Sequence, residues 1–192
     1  MRNLFYYAFD EKVFLHEVEN KVVVSFEDKY LADLQQYFHT NDQILHVDLF
    51  YFNNGCTLTT KKSNIGALMA DLKKQAGVKS VNPAYTTSDG CELGITDEIV
   101  LQFKHHIEGA FQHKIDELYK KYQIEVKKTT ELFQILSVPV YIDSLEAANA
   151  LHESGLTHYC YPDFVSKVKL NFIPTDTYFK NQYYRIRRLG RC

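Results

Sequence analysis

Apolar positions along the chain follow an ordered succession of strand and helix periods. Residues 4–9 and 12–18 are aromatic and β-branched on either side of Asp10-Glu11, a pattern that predicts a β-hairpin. A lone hairpin is marginal in water, so it should pair with the next part of the chain. Residues 21–26 read as a short apolar strand. Asp28 is a candidate N-cap, and Tyr30, Leu31, Leu34, Tyr37 and Phe38 recur at helical spacing. Residues 44–52 alternate as a strand, Asn53-Asn54-Gly55 supplies a turn, and residues 56–60 return. Ser63 or Asn64 should cap a second helix carrying Ile65, Leu68, Met69 and Leu72, with Gly77 closing it and residues 78–85 forming a last strand. The order is β-α-β-β-α-β.

The same order returns after residue 95. Ile99, Leu101 and Phe103 share one strand face. Ala110, Phe111, Ile115, Leu118, Tyr119 and Tyr122 mark a helix. Residues 124–128 and 132–138 read as a hairpin around Thr129-Thr130. Asp143 or Ser144 caps a helix with Leu145, Ala148 and Leu151, Gly155 ends it, and residues 156–164 close the unit. Val22, Val24 and Phe26 match Ile99, Leu101 and Phe103 at an offset of about 77 residues. Val81-Asn82-Pro83-Ala84-Tyr85 likewise matches Cys160-Tyr161-Pro162-Asp163-Phe164. The expected fold is α+β: two tandem ferredoxin-like βαββαβ units with antiparallel sheets, preceded by an N-terminal β-hairpin. The expected divisions are a hairpin over 1–20, a first unit over 21–90 and a second over 91–171. A further segment occupies 172–184, then a tail 185–192. The polar stretch 86–95, rich in Thr, Ser, Asp and Gly, reads as the linker.

Composition narrows the function. The chain has 192 residues, 45% of them hydrophobic, which is globular rather than disordered. A net charge of −2 gives no electrostatic footprint for nucleic acid. No apolar run reaches the roughly 18–20 residues needed to span a bilayer. The first residues lack the apolar core of a signal peptide, so none is expected. Cys56, Cys91, Cys160 and Cys192 form no CxxC pair, which favours reduced thiols. Four of the five arginines, Arg185, Arg187, Arg188 and Arg191, fall in the last eight residues. That break reads as a foreign tail, such as a frameshift or vector scar, or as a basic tail for an anionic partner.

No pattern points to chemistry within the chain. Gly-x-Ser-x-Gly, Gly-x-x-x-x-Gly-Lys and Gly-x-Gly-x-x-Gly are all missing. Ser154-Gly155 sits at a helix end for backbone reasons, and Cys160 is expected as a buried structural thiol. His105, His106, Glu108 and His113 are the densest cluster of metal-ligand types. Adjacent histidines point apart, however, and a solvated helix start is the simpler reading. No metal and no cofactor are expected.

One stretch is familiar. Pro174, Asp176, Tyr178, Phe179, Gln182 and Tyr183 form a Pro-x-Asp-x-Tyr-Phe-x-x-Gln-Tyr run. It resembles the opening of the mature domain in many subtilisin-like serine proteases. The preceding element order is similar to subtilase prosegments, and residues 1–184 resemble the N-terminal region of such proteases from Bacteroides-type bacteria. The resemblance implies a module without catalytic residues of its own, because the family's Asp, His and Ser match no residue here. It implies a partner, the subtilisin-like catalytic domain, which the module folds and inhibits. It also implies a secreted or cell-surface setting. Such a module lays its sheet on the enzyme and threads an extended segment into the cleft. Here that segment is Phe164, Val165, Ser166, Lys167, Val168, Lys169, Leu170 and Asn171, which alternates as a pairing strand should. The same alternation fits a simple continuation of the last strand of the sheet. Two other functions fit the composition: a regulatory module binding a small ligand between its units, and a cell-surface interaction domain pairing through an exposed hairpin edge.

Overall fold

The computed structural model describes residues 4–50, 54–61, 65–104 and 109–166. They form a mixed α+β protein with one curled antiparallel sheet and, among the described residues, four α-helices. The order is β1 (Leu4–Ala8), β2 (Glu11–Phe26), α1 (Leu31–Thr40), β3 (Ile44–Phe50), β4 (Gly55–Thr60), α2 (Ile65–Leu72), β5 (Val78–Thr86) and β6 (Glu92–Phe103). Then come α3 (Ala110–Lys121), β7 (Glu125–Thr129), β8 (Gln134–Ser137), α4 (Ser144–Glu153) and β9 (Thr157–Ser166).

The nine strands run β3-β4-β2-β5 in the first half and β9-β6-β8-β7 in the second, with β1 attached to β2. The halves meet where β5 pairs with β6, Tyr85 opposite Leu93 and Thr86 opposite Glu92. Each half buries one face of its strands under its own helices. In the first, Val22, Val24, Cys56, Leu58 and Val81 pack against Leu34 and Phe38 of α1 and Leu68 and Leu72 of α2. In the second, Ile99, Leu101, Leu136 and Cys160 pack against Ile115 of α3 and Ala147, Ala148 and Leu151 of α4. These are the periodic positions read from the sequence.

The two prolines at matching positions have a common cause. Pro83 lies opposite Val22 and Pro162 opposite Ile99, each on the last strand of its half. Proline has no N–H to give a second neighbour, so it suits a position without one: β5 pairs with β6 only at Tyr85 and Thr86, and β9 pairs only with β6 among the described residues.

Three features differ from expectation. The hairpin return and the first core strand are one continuous strand of sixteen residues, β2. The polar Glu19-Asn20 pair does not break it, because a register shift between Glu17 and Val22 absorbs the irregularity as a bulge. Half of the expected linker 86–95 is strand, the end of β5 and the start of β6, and the polar residues between them form a tight hairpin turn. Thr87 N–H donates to Cys91 O at 3.1 Å, and Cys91 N–H donates to Asp89 Oδ1 at 3.2 Å. Asp28 does not cap α1, since a 3-10 turn (Asp28–Tyr30) leads into the helix with no side-chain cap bond. Asp143 does cap α4, accepting from Leu145 N–H at 2.9 Å and Glu146 N–H at 3.2 Å. Asn53, Ser63 and Asn64 lie outside the described residues.

Two small clusters knit the halves together. Leu15, Tyr85, Ile95 and Leu145 pack with Leu4, Tyr6, Leu93 and Phe164 on one side. Val23, Ala84 and Val165 pack with Val18 on the other. Gly94 permits the second cluster: a Cβ there would sit 2.7 Å from Val165 Cγ2 and 2.8 Å from Val23 Cγ1.

Candidate functional site

The candidate extension divides at Ser166. Phe164, Val165 and Ser166 are the end of β9, opposite Ile95, Gly94 and Leu93. The Phe164 ring lies 4.7 Å from that of Tyr6, Val165 is buried in the seam, and Ser166 is exposed. Their alternation is the alternation of a sheet member. Lys167, Val168, Lys169, Leu170 and Asn171 lie outside the described residues, as do Pro174, Asp176, Tyr178, Phe179, Gln182 and Tyr183.

Other residues singled out in the sequence have structural surroundings. His113 Nδ1 is 3.6 Å from Glu117 Oε1 on the exposed surface of α3, and His105, His106 and Glu108 lie outside the described residues. No group of three His, Cys, Asp or Glu side chains could hold a metal among the described residues. Cys56 and Cys160 are buried free thiols. Burial pushes the Cys56 thiol up to about 12 and raises that of Cys160 as well, so both stay protonated and unreactive at neutral pH. Ser154 Oγ donates to Leu151 O at 2.6 Å, a helix-end bond.

What the sequence did not mark is a sheet face that no helix among the described residues covers. α3 and α4 cover the side of β6, β8 and β9 that carries Ile99, Leu101, Leu136 and Cys160. Cross-strand partners share a face, so Val100, Ile135 and Tyr161 stand together on the opposite side, with Gln102 beside Tyr159 and Glu98 beside Ser137. Val100, Ile135, Tyr159 and Tyr161 are half-buried, and the two tyrosine rings lie 5.6 Å apart. Period-2 alternation names both faces of these strands. Only the position of the helices shows which face is bare.

This face runs into a polar cleft of about 230 Å³ where Ser25, Asn54 and Lys79 of the first half meet Thr96, Asp97, Glu98 and Asp163 of the second. Ser25 Oγ donates to Asp97 Oδ1 at 2.9 Å, so in the 2.6 Å contact between the serines Ser80 donates to Ser25. Thr96 Oγ1 donates to Asp163 Oδ2 at 3.3 Å and accepts from Glu98 N–H at 3.1 Å. Asn82 Nδ2 donates to Ile95 O at 2.9 Å. Burial raises the Asp163 carboxyl above the usual range, Asp97 adds to the shift, and the Thr96 bond opposes it. Glu98 is raised too, by burial and by the charges of Asp97 and Asp163, with Lys79 opposing. The hydroxyls here are spent on neighbouring carboxylates, so the cleft joins the halves and presents an acid-rich surface with the Lys79 ammonium at its rim.

No helix among the described residues is long and apolar enough to cross a membrane. Set against known proteins, the chain matches no family model, no curated protein and no solved structure.

Proposed function

We propose that the chain is a prosegment-like binding module of a subtilisin-like serine protease, built as two tandem ferredoxin-like units. It acts by binding, and the chemistry belongs to the catalytic domain it engages. The strand orders support the architecture: in each half the first core strand lies between the third and the fourth, as a split βαβ unit requires. The bare face of β6, β8 and β9 carries the functional reading. Its apolar centre of Val100, Ile135, Tyr159 and Tyr161 has acidic Glu98 and Asp163 at one end, the composition of an interface with a polar rim. It lies on the strand that leads into the motif-bearing segment.

In this reading the end of β9 and the chain that follows it have separate jobs. Phe164, Val165 and Ser166 root the segment in the sheet. Lys167 through Asn171 then form the extended stretch that pairs with the substrate-binding edges of the enzyme and blocks them in the manner of a product. The decisive experiment measures inhibition of a matching subtilase by residues 1–184. Inhibition at sub-micromolar concentration, an order-of-magnitude figure for a specific interface, is expected. Removing residues 167–171 should abolish it while the thermal transition stays unchanged. Full inhibition by that shortened chain would reject the threading mechanism, and no inhibition by residues 1–184 would reject the assignment.

The polar cleft between the halves favours one other reading, a regulatory module that binds a small cationic ligand there. A thermal-shift series with amino acids and polyamines separates the two. A specific stabilisation abolished by Asp97→Asn would support the ligand-binding module.

A further inference from the structure

The N-terminal hairpin does more than extend the sheet. It lies against helix α4 of the second half, where three contacts add to the apolar packing of Leu4 and Tyr6 in the cluster with Leu145. The Tyr7 ring stacks on the His152 imidazole, with centroids 4.3 Å apart and planes at 22°. Tyr7 OH donates to Glu153 Oε1 at 2.9 Å, and Asn149 Nδ2 donates to the backbone oxygen of Phe5 at 2.7 Å. The imidazole at the centre of this contact is only 8% exposed. Its Nδ1 is buried and has no hydrogen-bond partner among the described residues, while its Nε2 lies 3.6 Å from Asp10 Oδ1 at the hairpin turn.

This arrangement suits a neutral ring. Protonation places a hydrogen on both ring nitrogens, and the Nδ1–H would then be buried without an acceptor. The facing groups are Tyr7 from β1, Asp10 from the turn, Glu153 from α4 and Lys104 from the end of β6. Asp10 and Glu153 favour the cation and Lys104 opposes it. The Asp10 carboxylate is 93% exposed, so water and salt screen its attraction. Burial prevails and holds His152 below the usual histidine range.

We propose that His152 is a proton-sensitive clasp for the N-terminal hairpin: neutral, it holds Tyr7 and the hairpin on α4, and protonated, it lets them go. Release uncovers the edge of β1 and the Asn149–Glu153 surface of α4. This holds for the free chain, whatever the bare sheet face binds. Linkage sets the sign. A histidine whose pKa is lower when docked than when released holds the hairpin fully above the released value, about 6.5, and that hold is lost as pH falls toward the docked value.

Hydrogen exchange on the full chain tests this, with protection corrected for intrinsic rates at about pH 7.5 and about pH 5.0. Protection of residues 4–15 should fall several-fold at the lower pH, while Ile99 and Leu101 in the second core keep theirs. His152→Phe keeps a ring under Tyr7 and carries no proton, so its hairpin should be equally protected at both values. An NMR titration of the unchanged chain gives a second readout, in which the hairpin amides should shift with the midpoint of the His152 ring. Hairpin protection that ignores pH would overturn the proposal, as would an acid response that persists in His152→Phe. Stronger protection in acid would overturn it too, because it would show that the Asp10 pairing prevails over burial.

Discussion

Gly94 and Asp163 show how narrow the tolerances are at the seam between the halves. Gly94 lies where two valines from different strands come within van der Waals distance of its backbone, and any side chain must push Val23 or Val165 aside. Gly94→Val should destabilise the protein by about 1–3 kcal/mol, the range for overpacking a filled site, as read from urea midpoints at constant slope. Gly77 is constrained twice over. Its φ is +79°, and a Cβ would land on the ring of Tyr30. Asp163 is the opposite case, a residue whose charge works against folding. Its folded carboxyl is raised above the unfolded value, so it binds its proton more tightly when folded. Its contribution is therefore most favourable below the unfolded pKa, near 4, and is lost as pH rises through the folded one. Asp163→Asn keeps an acceptor for Thr96 and removes the repulsion with Asp97. Its melting temperature should exceed that of the unchanged chain at pH 7, and the gain should fade toward pH 4, as followed by circular dichroism.

At the scale of elements, the two aspartates read as helix caps separate cleanly. Asp143 satisfies two N–H groups at the start of α4, whereas Asp28 makes no cap bond before α1. Asp143→Ala should cost about 1 kcal/mol and Asp28→Ala less than about 0.5, both measured by chemical denaturation. The sequence did not distinguish them, because both stand before an apolar helical stripe and the preceding chain decides the entry angle. Strands were the more legible elements. Val22, Val24 and Phe26, and Ile99, Leu101 and Phe103, share the face that the helices cover, and the structure places them where the period-2 rule said. Breaks between strands were harder to read. Glu19-Asn20 resembles a turn, yet the neighbours of β2 carry it across as a bulge. Residues 86–95 resemble a linker, yet the same polar residues serve a tight turn between two strands, as bonds that depend on the distant β2 and β9 decide. For the candidate site, residues 156–164 were legible as a strand, but which face the described helices leave uncovered is settled only by packing.

At the scale of the molecule, the described residues build two main cores on one sheet. Leu58 lies at the centre of the first core and Leu136 at the centre of the second, both fully buried. Either one changed to Ala should cost about 2–5 kcal/mol. The clusters around Ile95 and Val165 join the cores, so each loss should lower a single transition rather than split it. Calorimetry decides this: two resolved transitions in Leu58→Ala would show that the halves fold independently.

The pairing of Phe164, Val165 and Ser166 with Ile95, Gly94 and Leu93 has a mechanical consequence. A partner that grips the chain beyond Ser166 and pulls along β9 does not peel one bond at a time. The ladder to β6 runs along the line of pull, so its bonds share the load in shear, and Val165, seated between Val23 and Ala84, acts as a detent. Force applied at one end of the chain is thereby carried into β6, and through β5 into the first half. Anything tethered beyond Ser166 hangs from the whole sheet rather than from its last strand.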